Sequence, residues 1–298
     1  MSVRDSVRSV AASKAVLYAV LLAMAAFYLA PLESGLMTAI KTQDAFFSTT
    51  PFAPPLGEGF TLDPWFQAWA RLQGPLTNFS GAMYNSMFVA VPATVLSGFI
   101  GSVAAYGLTN LKWRGQAGVL MLFVAGMFVP YQSVLVPLTR FWSIVGLRDI
   151  LAGVPFLSTR VGLIQLVVTH TAYGIPICTI LFRSYYSGFD DSMLEAARID
   201  GATFTRIYRR IILPLSKPMF AVVLIYQFTQ VWNDFLFALV LVSSPSNEVA
   251  TIALNKLQGS MVQQYNVQMA AAFVAALPTL LVYVLFGEQF AEGVAGNT

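Results

Sequence analysis

The sequence predicts an all-α polytopic membrane protein: six transmembrane helices, with one long polar loop, residues 183–217, between the fourth and the fifth. Three observations predict it. Of the 298 residues, 57% are hydrophobic and only 10% charged, with a mean hydropathy of +0.67, whereas charged residues make up about a quarter of an ordinary soluble domain. Six apolar stretches each approach the roughly 20 residues that span a bilayer core. Assigning the connecting loops to alternate sides of a membrane divides the Lys and Arg residues unevenly, as the positive-inside rule requires.

Taken in order, residues 1–14 form a polar tail with Arg4, Arg8 and Lys14. No small-residue cleavage site follows the next apolar run, so the tail reads as cytoplasmic and not as a secretory signal. The remainder, 15–298, reads as one transmembrane domain. Its first span runs from Ala15 to Leu36, with Pro31 and Glu33 near the outer end. Residues 38–84 turn polar, with a Pro-rich stretch from Thr50 to Pro55 and an aromatic group, Trp65 to Trp69, suited to a membrane interface. This is the expected extracytoplasmic segment. It contains a sequon, Asn78-Phe79-Ser80, of a kind common by chance.

The second span, Met87 to Leu108, places Ala93, Ser97, Gly101 and Ala105 four residues apart. Small side chains on one helix face let another helix approach closely in lipid. A third span is expected from Val119 to Leu138 and a fourth from Val161 to Phe182, separated by an outer segment with a possible interfacial helix. The fifth is expected from Pro218 to Val242 and the sixth from Met269 to Gly287. Pro130, Pro176 and Pro278 fall inside spans three, four and six, where proline is expected to bend a helix.

With both termini inside, the inner segments hold Arg4, Arg8, Lys14, Lys112, Arg114, Arg183, Arg198, Arg206, Arg209, Arg210 and Lys217, and the outer ones Lys41, Arg71, Arg140, Arg148, Arg160 and Lys256. Loop 183–217 therefore belongs on the cytoplasmic side. A basic pI near 9.0 is explained by this topology, without a nucleic-acid partner. Cys178 and His170 are the only cysteine and histidine, so neither a disulfide nor a protein-made metal centre is expected. No phosphate-binding G-x-x-x-x-G-K-[ST] loop occurs, so any ATP-driven work falls to another chain.

The polar loop has its own local logic. Ser192 with Glu195 reads as a capping box that starts a helix near Met193. Gly201 ends that helix. Thr203 or Thr205 caps a second one carrying Arg206, Arg209 and Arg210, which Pro214 and Pro218 terminate. By chemistry alone, this helix-turn-helix is equally a basic amphipathic element lying on the membrane surface.

Glu195-Ala196-Ala197, Asp200-Gly201-Ala202, then Leu213-Pro214 and Pro218 stand in register, and this pattern resembles the EAA loop of binding-protein-dependent ABC importer permeases. The likeness extends along the chain from Tyr84-Asn85-Ser86 to the C-terminus. It is nearest the smaller, maltose-type subunit of carbohydrate importers, in part through Trp232-Asn233-Asp234-Phe235. Phe290 to Thr298 departs from the family's Lys-bearing tails in having no base. The resemblance implies that Glu195, Ala196, Ala197, Asp200, Gly201, Ala202, Leu213 and Pro214 dock on a cytoplasmic ATPase. It further implies a second permease, two ATPase subunits that bind the ATP and Mg, an extracytoplasmic sugar-binding protein, and a bacterial or archaeal inner membrane. No cofactor is implied in this chain.

An ionisable residue within a span signals a pathway or a paired structural role. Asp234 stands roughly 24 Å along the fifth span from Pro218 at 1.5 Å per residue, on one face with Gln227 and Gln230. Gln227, Gln230, Trp232, Asn233 and Asp234 have the planar polar and aromatic groups that bind sugars, and are the candidate translocation residues. Equally, these groups can bond neighbouring helices or a partner subunit. His170 and Tyr173 share a face of the fourth span, and Tyr131 and Gln132 lie in the third. Two rivals stay open: import of a non-sugar polar solute, and proton-coupled secondary transport using Asp234 and His170.

Overall fold

The structure is a computed structural model describing residues 3–73, 81–111, 113–258 and 264–295. In chain order its helices are α1 (Val3–Ala39), α2 (Gln43–Ser48), α3 (Asp63–Gln73), α4 (Ala82–Asn110), α5 (Gln116–Met127), α6 (Tyr131–Val145), α7 (Leu147–Ile150) and α8 (Pro155–Ser158). These are followed by α9 (Val161–Tyr186), α10 (Asp191–Ile199), α11 (Phe204–Ile207), α12 (Leu213–Leu215), α13 (Lys217–Trp232), α14 (Leu236–Leu241), α15 (Ala250–Gln258) and α16 (Tyr265–Ala295). Tyr208–Ile212 forms a π-turn between α11 and α12. Among the described residues there is no named strand, only one isolated bridge between Lys41 and Phe60.

Four helices are long and apolar enough to span a bilayer: Lys14–Ala39, Ala82–Asn110, Val161–Tyr186 and Tyr265–Phe290. Two further candidates are bent pairs, Gln116–Met127 with Tyr131–Ile150 at 102°, and Phe204–Leu215 with Lys217–Trp232 at 75°. The expected third span is therefore not one straight helix. The chain breaks where Pro130 precedes α6 in extended conformation (φ −65°, ψ 137°), because its ring fixes φ and it has no N–H to donate to a helix ladder. Pro176 and Pro278 lie inside α9 and α16, which run on through them.

The expected fifth span also divides. α13 stops at Trp232, and α14 begins at Leu236 with Asp234 accepting hydrogen bonds from the backbone N–H groups of Phe237 (3.4 Å) and Ala238 (3.1 Å). A carboxylate at a helix start satisfies donors that have no partner within the helix. α1 begins at Val3, within the polar N-terminal tail, and continues past Pro31 to Ala39.

The chain forms two compact units. One comprises Met1–Arg71 and Lys256–Val274. In it residues 38–71, part of the polar segment 38–84, fold around Lys41, which is fully buried. The Lys41 ammonium donates to the Thr50 carbonyl at 2.8 Å, and the Lys41 carbonyl accepts from Asn266 Nδ2 at 3.0 Å. Burying such a group is costly unless hydrogen bonds satisfy it. Trp65 packs on Phe273 with ring centroids 6.0 Å apart, whereas Trp69 stays exposed. The most apolar stretch of α1 carries no buried residue. The sequon Asn78-Phe79-Ser80 lies outside the described residues.

The other unit comprises Leu72–Asn255 and Ala275–Thr298, and its most extensive contact is α4 on α9. The small-residue face expected on the second span makes that contact. Ala93, Ser97, Gly101 and Ala105 are all buried, and a Cβ on Gly101 would lie 2.5 Å from Cys178 Cβ and 3.0 Å from Thr179 N. No other residue type permits that backbone approach.

Candidate functional site

Two regions of the larger unit hold the residues singled out from the sequence. In the first, α10 is capped by Asp190 and not by Ser192: the Asp190 carboxylate accepts from Ser192 N–H at 2.9 Å, and the helix starts at Asp191. Asp190 competes with Ser192 as a cap and, as a carboxylate at a helix N-terminus, is favoured by the dipole as well. Hydrogen bonds from the Ser192 backbone and hydroxyl hold its carboxyl below the usual 3.8. A carboxylate with a lowered folded-state pKa stabilises above its unfolded value and loses that contribution as pH falls through the folded value. The cap is therefore complete at pH 7. Asp190→Ala is expected to speed amide exchange over the first turn of α10 at pH 7, while Asp190→Asn keeps the protection and makes it independent of acid.

The end of α10 is set by Gly201, with φ of 74°. Ala202 N–H donates to the Ala197 carbonyl and Gly201 N–H to the Arg198 carbonyl, each at 3.0 Å. This is the six-to-one and five-to-two pairing of a Schellman turn, which needs a left-handed residue where glycine stands. Thr203 then accepts from Arg206 N–H at 3.4 Å and caps α11.

Leu194, Ile207, Tyr208 and Ile212 are buried on a core shared with Tyr106, Phe182, Tyr186, Met219 and Val223. Ser102 Oγ lies 2.6 Å from Tyr186 Oη and 2.8 Å from Tyr208 Oη, and Tyr106 stacks on Phe204 at 4.2 Å. The helix-turn-helix is thereby fixed to α4 and α9. Its outer surface bears Glu195, Ala196, Asp200 and Gly201, all exposed, with Ala197 and Ala202 half-buried beside them. Leu213 is half-buried and Pro214 exposed at the far end.

Ile199 on the same surface is 86% exposed, more than any other large hydrophobic residue described. Sequence reading passed over it. The available signal was its place in a short charged helix whose other aliphatic residue, Leu194, faces the core.

The second region lies where α9, α13 and α14 meet. His170 Nε2 is 3.4 Å from Asp234 Oδ2, with both side chains under a tenth exposed. Thr251 Oγ1 donates to the Asp234 carbonyl at 2.7 Å. A cavity of about 30 Å³ opens beside this pair, lined by Tyr131, Tyr173, Tyr226, Gln227 and Gln230. That is room for about one water molecule. The rings of Tyr131, Tyr173 and Phe237 stand 5.0 to 5.2 Å apart at its wall.

The structure thus brings Gln227, Gln230 and Asp234 together. Gln227 is itself buried, its Nε2 donating to Ser97 Oγ and the His170 carbonyl, both at 3.4 Å. Trp232 and Asn233 do not line the cavity. Trp232 is buried, donating from Nε1 to the Ala275 carbonyl at 2.9 Å, and Asn233 donates to the Thr229 carbonyl at 2.9 Å. Tyr226 was missed in the sequence because an apolar helical context gives a tyrosine no distinguishing signal. Gln132 is not among the lining residues. Among the described residues, no group of three or more His, Cys, Asp or Glu is placed to hold a metal ion.

Apolar helices around an internal polar pair, with an exposed helix-turn-helix packed on them, have the make-up of a membrane transport subunit. The chain belongs to the family of binding-protein-dependent transport system inner membrane components, which it matches over residues 97–294. It is 51% identical over 286 residues to the xylose/arabinose import permease XacI of Haloferax volcanii, covering 93% of this chain and 90% of that protein. It is 40% identical over 289 residues to the probable ABC transporter permease PH1216 of Pyrococcus horikoshii, with 96% and 97% covered. The fold matches a crystal structure of a bacterial ABC transporter involved in the import of the acidic polysaccharide alginate, with a TM-score of 0.74, 20% identity, and coverage of 97% of this chain and 99% of that one.

Proposed function

We propose that this permease imports a sugar by alternating access, as one of two related permeases joined to two ATPase subunits that bind ATP and Mg, and fed by an extracytoplasmic sugar-binding protein. The observation that carries the reading is the capped α10, Schellman turn and capped α11, exposed on one side and welded to α4 and α9 on the other. Such a unit transmits a push from a partner to the bundle without absorbing it. Glu195, Ala196, Ala197, Asp200, Gly201 and Ala202 form the docking surface, with Ile199 as an added apolar knob and Leu213-Pro214 as its exit. It faces the cytoplasm, as do both termini.

Gln230 and Asp234, with Gln227, Tyr131, Tyr173 and Tyr226, line the substrate path, which is closed in this conformation. Trp232 and Asn233 support it from behind. The likeness to a permease named for xylose and arabinose makes those pentoses the first substrates to try.

The test is uptake of labelled xylose and arabinose into proteoliposomes holding the chain with its co-purifying subunits. ATP-dependent uptake that falls about tenfold in Gln230→Ala, with ATPase association unchanged, supports the reading. Uptake without an ATPase establishes secondary transport instead. Labelling of Ile199→Cys in a Cys178→Ala background from the inner side alone supports the topology, and labelling from outside overturns it.

A further inference from the structure

We infer that a groove of about 570 Å³ beside the start of α13 is a binding site for one anionic phospholipid. Its volume is within the roughly 300–1,000 Å³ of small-molecule pockets. Its walls are Phe99 of α4, Phe220 and Leu224 of α13, and Leu285 and Phe286 of α16. Phe99 is 50% exposed and Leu285 70%, so these two walls are open among the described residues.

The polar side chains of the groove are Lys217 and Gln289, with Leu213 and Pro214 also lining it on the N-terminal side of Lys217 in the chain. α13 begins at Lys217 and moves away through Phe220 to Leu224, about 10 Å at 1.5 Å per residue. On α16 the apolar wall residues Leu285 and Phe286 lie within about one turn before Gln289. One cation with one amide donor above an apolar slot is the chemistry of a phosphate headgroup above an acyl chain.

The charge decides between occupants. Lys217 is exposed, and no ion pair to it occurs among the described residues. Glu288, the acid nearest to the groove in sequence on α16, is exposed and does not line it. A helix from another protein lying in the slot would bury the ammonium against apolar side chains, which is costly without a paired acid. A phosphodiester neutralises it where it stands. The site rests on the membrane setting of the family, and through Leu213 and Pro214 it adjoins the exit of the proposed docking surface.

The test is lipid retention by native mass spectrometry. The chain, with its co-purifying subunits, is taken from mild detergent supplied with equal phosphatidylglycerol and phosphatidylcholine of matched acyl chains. The wild type is expected to keep phosphatidylglycerol at least fivefold over phosphatidylcholine. Lys217→Gln is expected to lose that preference, about fivefold for one basic residue at an anionic surface, and Lys217→Arg to retain it. Leu224→Trp, which fills the slot, is expected to lose both lipids. Should Leu224→Trp not fold, the Lys217 pair decides alone. Equal retention of the two lipids by the wild type, or an unchanged preference in Lys217→Gln, overturns the assignment. So does a photocrosslinker at Leu285 that captures a protein chain of the assembled importer in place of lipid.

Discussion

Gly101→Leu is expected to abolish the folded permease, and Gly101→Ala to lower its stability by about 1–3 kcal/mol, the usual cost of overfilling a packed contact. The obstruction at that position is Cys178 Cβ at 2.5 Å, backed by Thr179 N at 3.0 Å and Cys178 C at 3.1 Å. None of these is the flexible end of a side chain that could swing aside. Relief therefore requires α4 and α9 to separate, and that pair makes the main contact of the larger unit. Cys178→Ala in the same chain is expected to give no rescue, because it keeps the offending Cβ. Melting temperature in detergent measures both effects. A Gly101→Ala variant as stable as the wild type, or rescued by Cys178→Ala, would show that the helices do not approach as described.

Gly201→Val is expected to leave the bundle folded yet reduce co-purification of the ATPase and ATP-driven uptake at least tenfold. A side chain at this position meets nothing within 4 Å, so steric clash is not the reason. The reason is the backbone, whose φ of 74° costs an ordinary residue roughly 1–2 kcal/mol and a β-branched one more. Relieving that strain turns α10 away from α11 and misaligns Glu195 and Asp200 with whatever they meet. Asparagine tolerates the left-handed region, so Gly201→Asn is expected to retain most association and uptake. Equal behaviour of Val and Asn would remove backbone conformation as the cause. A wild type that purifies without any ATPase under conditions preserving other subunits would remove the docking proposal.

The parts legible in the sequence are those governed by short-range rules. The turn at Gly201 follows from a missing Cβ, a threonine cap at 203 or 205 from a hydroxyl before the second helix, of which the fold uses Thr203, and the α4 seam from small residues at intervals of four. The bend at Pro130 was legible from its proline, though not its 102° sharpness; the break after Trp232 was hidden, because a window average of hydropathy cannot see a backbone turn. The α10 cap was misplaced because Asp190 and Ser192 each fit an N-cap, and only the fold chooses between them.

In the fifth span, spacing put Gln227, Gln230 and Asp234 on one face, and the structure gathers them. It could not show that Trp232 turns towards Ala275, since the preference of an indole depends on what lies behind it. Asp234 proved to have two tasks: it accepts from the first N–H groups of α14, only three and four residues on, and it meets His170, which is far from it in sequence.

The hydroxyl trio of Ser102, Tyr186 and Tyr208 constrains how this protein can change over generations. Ser102 is fully buried, with Tyr186 and Tyr208 nearly so. A descendant that lost Ser102 first would strand the Tyr208 hydroxyl away from water, at about 1–3 kcal/mol, while Tyr186 could still turn to the neighbouring Ser216 hydroxyl. One that first exchanged Tyr208 for phenylalanine would leave Ser102 still bonded to Tyr186, and could then lose the serine at little further cost. The same pair of substitutions is thus passable in one order and obstructed in the other. Lineages that keep the serine keep a joint whose history runs more easily one way than the other.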